Sequence, residues 1–158
     1  MMAFWKDAHG WAPIEAATLL NKSMLEWQSS LASSLNKWAG PLNEGEMILA
    51  WANIGAIVEG QLKLFLSVYY SDYLGNSEAT IKGKNGITLD PDGVTLEPLR
   101  VFFKKNIWGP AEDWDDWIQL VQTRRNAIHA FKAKTIGTLA EVHSALRRLR
   151  LFVHAINM

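Results

Sequence analysis

One stretch of this chain sets an imidazole beside two fixed cations: Thr123-Arg124-Arg125-Asn126-Ala127-Ile128-His129-Ala130-Phe131. These side-chain types suit the cleavage of a phosphodiester. Histidine, with an unperturbed pKa of about 6.5, can take the proton from a 2′-hydroxyl near neutrality. As that oxygen attacks the neighbouring phosphate, negative charge builds on the non-bridging oxygens, and a planar guanidinium meets two of them at once. His129 is the candidate base and Arg124 the candidate electrostatic partner, with Arg125 and Asn126 as candidate substrate ligands.

The stretch lies near the end of an expected helix, so helical geometry decides which side chains can meet. Arg125 and Asn126 stand four and three residues before His129 and share its face. Arg124 is rotated by roughly 140° from His129 in a straight helix. It falls on the line Trp117, Val121, Arg124 and Ile128, which reads as a buried stripe. An arginine there must be paired or must face a second subunit. Which arginine meets the phosphate stays open at this point.

An arginine and a histidine with four residues between them, a polar residue after the arginine and a helix to carry them resemble the signature of the HEPN superfamily. Its members are small all-helical proteins, often metal-independent ribonucleases. The resemblance implies a homodimer in which two motifs face each other across a two-fold axis and form one composite cleft. It implies RNA as substrate, attack by the 2′-hydroxyl, a cyclic phosphate product, and neither cofactor nor metal. Toxin, antiviral and RNA-processing roles go with it, and so does an antitoxin or nucleotidyltransferase as partner. Two alternatives stand beside this. One is a module of the same fold that binds RNA or protein without cleaving. In the other, Arg124 and His129 are structural, the arginine satisfying a carboxylate such as Glu59 and the histidine capping the last carbonyls of its helix.

The composition is that of one folded domain spanning residues 1–158. Of the 158 residues 49% are apolar and the formal charge is zero, so the chain is neither disordered by composition nor basic overall. The charge is unevenly placed. From Val121 to Met158 seven cations face only Glu141, a net +6 that puts the motif in the basic part. With no cysteine, disulfide frameworks, thiolate metal sites and thiolate nucleophiles drop out. The N-terminus does not read as a signal peptide and no stretch is apolar enough to span a bilayer, so a cytoplasmic protein without membrane contact is expected. Glu112, Asp113, Asp115 and Asp116 point around a helix rather than converging, so no metal site is expected and Asp115 and Asp116 are read as solvated.

The elements that position the motif read as an antiparallel all-α bundle of about five helices. After an aromatic leader with Phe4, Trp5 and Trp11, a first helix runs from Pro13 to Trp38. Asn43 and Glu46 form a capping box for a long second helix, whose stripe continues to Tyr73 and whose Gly55 and Gly60 let another element approach. Turn formers dominate from Gly75 to Gly93, where Asn85-Gly86 closes a small hairpin carrying Lys82 and Lys84. A short helix capped by Thr95 follows, then the motif helix. The last helix is capped by Thr138 and Glu141 and has a stripe of Leu139, Val142, Leu146, Leu149, Val153 and Ile156. Arg147, Arg148, Arg150, His143 and His154 lie beside that stripe and are read as surface and packing residues.

Overall fold

The computed structural model describes residues 14–129 and 134–157. The aromatic leader, Pro13, Ala130, Phe131 and Lys132 lie outside them. Among the described residues the regular elements are helical: α1 Ile14–Asn21, α2 Leu25–Ser34, α3 Glu44–Val68, α4 Tyr70–Gly75, α5 Leu96–Asn106, α6 Trp114–Arg125 and α7 Leu139–Ile156, with short 3₁₀ turns between some of them. The class is all-α as expected. The two helices beyond the expected five come from breaks in the two long ones.

The first break follows α1. Lys22 and Ser23 send their N–H groups back three residues to Leu19 and Leu20, at 3.0 and 3.1 Å, and Ser23 Oγ takes the same Leu20 carbonyl at 2.5 Å. A hydroxyl that competes for backbone groups favours a turn over continued helix. Met24 then takes the left-handed conformation at φ 51°, and α2 starts at Leu25. The second break, at Tyr69, separates α3 from α4 and turns two tyrosines toward the 75–93 connection.

Those tyrosines supply the packing support that a lone hairpin lacks. Tyr73 Oη donates to Leu89 O at 2.8 Å and accepts from Ile81 N–H at 3.0 Å. Tyr70 donates to Asp90 at 2.5 Å, a bond that, with burial, pushes its phenol up to about 12. Between them the hairpin shrinks to a turn at Asn85-Gly86 and a single bridge, Lys82 to Thr88.

α3 is the axis of the bundle, in contact with α1, α2, α6 and α7. Trp51, Ile54, Val58 and Leu62 are fully buried along it, and both expected capping boxes, Asn43 with Glu46 and Thr138 with Glu141, are formed. Thr95 stands at the start of α5 but its side chain makes no capping bond. α1 and α2 run antiparallel to α3. Ser34 meets Asn53 at 2.7 Å near one end, Gln28 covers Gly60 midway, and Leu20 packs with Leu64 and Val68 at the other end. Asn53 is buried and satisfied. Oriented to suit its neighbours, its amide accepts from Trp38 Nε1 at 3.0 Å and donates to Leu31 O at 3.3 Å.

On α7 the deeply buried centre is Val142, Ala145, Leu149 and Phe152, with Leu146, Val153 and Ile156 on its shoulder. Arg148 crosses to α6, pairing with Asp113 and lying 5.1 Å from the Trp114 ring centroid, a cation–π contact. Asp115 corrects the sequence reading. It is buried, not solvated, because Arg100 and Lys104 of α5 converge on its two oxygens, Lys104 at 2.6 Å. Asp116 is exposed as expected. No described helix is long and apolar enough to cross a membrane.

Candidate functional site

The motif helix α6 buries Trp117, Ile118 and Val121 against the core and ends at Arg125. Asn126 to Ile128 tighten into a 3₁₀ turn, and His129 follows in extended conformation with its N–H on Asn126 O at 3.3 Å. The histidine therefore leaves the helix, and its relation to the arginines is set by that turn. Its side chain is exposed.

Arg125 lies across α3 at Gly55, where a Cβ would collide with the arginine side chain. The glycine expected to admit a neighbouring element admits this one side chain. From there Nη1 of Arg125 donates to Glu59 Oε2 at 2.9 Å and reaches Gly55 O at 3.4 Å. Glu59 is shared, since Lys63 approaches its other oxygen at 3.0 Å. Among the described residues Nη1 is the one nitrogen of the Arg125 guanidinium with hydrogen-bond partners, and the residue lines the cleft.

A cleft of about 380 Å³ opens here, with Ala52, Ala56, Glu59 and Lys63 of α3 on one wall and Arg125, Asn126, Ile128 and His129 on the other. Three of the four sequence-predicted site residues thus meet around one hollow. Arg124 is held elsewhere. Its Nη1 donates to Thr135 O at 2.7 Å and its Nη2 to Glu141 Oε1 at 3.0 Å. Glu141 also accepts from Thr138 N–H, and that backbone bond, followed by Arg124, holds its carboxyl below the usual range despite some burial. Gly137 makes the fit possible: at φ 76° it takes a conformation that side chains resist, and a Cβ there would meet both Glu141 and Arg124.

No protein-family model, curated protein or solved structure matches this chain. The reading of the cleft therefore stands on its own geometry.

The arginine tied to a carboxylate on the buried stripe is Arg124 with Glu141, whereas Glu59, the carboxylate named from sequence, belongs to Arg125. Glu59 and Lys63 are the cleft residues whose role the sequence reading missed. A signal existed, because Gly55, Glu59 and Lys63 recur every four residues and put a small residue and the two charged residues of the helix's second half on one row. Lys82 and Lys84 do not line the cleft. His143 sits 3.1 Å from Gly40 O as a packing residue, and among the described residues no three His, Asp or Glu side chains are grouped as metal ligands.

Arg124→Ala is expected to cost about 2 kcal/mol of stability, the scale of charged hydrogen bonds lost from a side chain 14% exposed. Denaturant midpoints of the two proteins check it.

Proposed function

We propose that this chain is a HEPN-like, metal-independent endoribonuclease acting as a homodimer. The observation that supports it most is the meeting of an exposed imidazole, a half-engaged guanidinium and a carboxamide at the mouth of one open cleft. Neutral His129 takes the proton of an RNA 2′-hydroxyl, and the oxygen attacks the adjacent phosphorus. The bond to the 5′-oxygen breaks, leaving a 2′,3′-cyclic phosphate, and an imidazolium returns a proton to the departing oxygen. Arg125 is the better-placed arginine for the pentavalent phosphate, because Arg124 is spent on Thr135 and Glu141. Asn126 orients the substrate. A dimer would supply the second imidazole that the protonation step calls for.

The rim favours such a dimer. Ile128 is 49% exposed on the wall of the cleft that faces the small side chains Ala52 and Ala56. Ile128→Glu is expected to dissociate the dimer and to make cleavage depend on protein concentration, with sedimentation as the check.

A second reading, a binding module that does not cleave, draws on Glu59, whose carboxylate offsets the charge of both Arg125 and Lys63. Incubation with labelled single-stranded RNA in chelator distinguishes them. The nuclease reading expects fragments; the binding reading expects salt-dependent retention of intact RNA. An antitoxin or nucleotidyltransferase partner, and a cytoplasmic setting, fit either reading.

A further inference from the structure

Beside the cleft runs a second groove of about 300 Å³ between α2 and α3, and the two share Gln28, Gly60 and Lys63. Its floor is apolar, from Leu19, Leu31 and Leu64, and its lip carries Trp27 at 69% exposure and Met24 at 55%. Together with the floor they make an open apolar surface that no described residue covers, with an indole face free to stack. Lys22 and Lys63 stand on the rim. Lys22 pairs with Asp92 at 3.3 Å at the surface, a contact that a phosphate can exchange for, while Lys63 is half-buried and donates both to Glu59 at 3.0 Å and to Asp92 O at 3.2 Å. The turn at Lys22 to Met24 aims α2 so that Trp27 projects here.

We infer that this groove is a nucleobase subsite, in which a base next to the scissile linkage of single-stranded RNA stacks on Trp27 while Lys63 holds the phosphate between the two hollows. The inference rests on the ribonuclease reading of the neighbouring cleft, and continuity with that cleft decides the occupant. An aromatic face flanked by ammonium groups is the combination that binds a base and its backbone together with little sequence preference.

The test uses the full chain carrying His129→Ala, so that RNA survives, and measures anisotropy of a short fluorescein-labelled single-stranded RNA. Adding Trp27→Ala is expected to weaken binding on the order of tenfold, and Trp27→Phe to restore most of it. In the cleaving protein Trp27→Ala should raise KM by the same factor with kcat nearly unchanged, and the loss should vanish on an RNA that is abasic at the position next to the scissile linkage. Trp27 is exposed, so unchanged circular dichroism is expected. Wild-type affinity in Trp27→Ala would overturn the subsite and leave the nuclease reading standing. So would a loss of self-association without a loss of RNA affinity, which would assign the groove to a second copy. RNA held through Trp27 by a protein that never cleaves would keep the subsite and remove the nuclease. Neither binding nor cleavage would remove both.

Discussion

His129→Ala is expected to slow RNA cleavage by about 10²–10⁴-fold, the usual contribution of a positioned general base. The side chain is exposed and follows the 3₁₀ turn rather than a packed helix, so the thermal midpoint should hardly move. Arg125→Ala should cost about 10²–10³-fold, as lost stabilisation of charge in the transition state, and Arg125→Lys should recover only part because an ammonium cannot present a fork. The contrast with Arg124 sharpens this. Its two terminal nitrogens are engaged by Thr135 and Glu141, so its removal should appear in stability and not in turnover. If Arg124→Ala abolished turnover in a protein that stayed folded while Arg125→Ala did not, the assignment would be reversed. Growth arrest on induction, relieved by His129→Ala, would carry the same result into cells.

Asp115→Ala should be the most destabilising single change outside the apolar core. The side chains of Asp115 and Arg100 are each 10% exposed, and Lys104 closes the other carboxylate oxygen. Removing the aspartate strands a nearly buried guanidinium whose remaining partner, Glu97, is half exposed. Loss of one member of a buried pair costs about 3–5 kcal/mol, equivalent to a fall in melting temperature of roughly 10 °C for a chain of this size. The same network sets the acid limit. Burial alone would raise the Asp115 carboxyl, but hydrogen bonds from Lys104 and Arg100, with their charge, hold it below its ordinary value. Glu97 is held low chiefly by Arg100, and Glu141 chiefly by the Thr138 N–H. A carboxylate with a depressed folded-state pKa adds stability that is complete above its unfolded pKa and drains away as pH falls through the folded value. Stability should therefore be level near neutrality and fall below about pH 4, with a shallower fall in Asp115→Asn.

The helices were legible because apolar spacing and capping residues both act locally. Trp51, Ile54, Val58 and Leu62 at spacings of three, four and four, or Thr138 with Glu141, need nothing distant to be read. The breaks at Ser23 and Tyr69 were not, since each depends on a competition. In the first a hydroxyl takes a carbonyl from the helix, and in the second two tyrosines gain partners across the 75–93 connection. Asp115 was misread for a related reason: it stands in a run with the acidic Glu112, Asp113 and Asp116, while the cations that bury it belong to another helix. At the site, residue types located Arg125, Asn126 and His129. That Arg124 must be paired or face a second subunit was legible from its helix face, but its partner Glu141 and the close fit at Gly137 lie downstream, beyond what one helix face contains.

The end chemistry of the products tests the central claim most directly. Purified wild-type chain is incubated with single-stranded RNA of defined sequence in excess chelator, and the fragments are weighed by mass spectrometry. The account predicts 2′,3′-cyclic phosphate on the upstream fragment and a 5′-hydroxyl on the downstream one. Intact RNA, or fragments that begin with a 5′-phosphate, would contradict it.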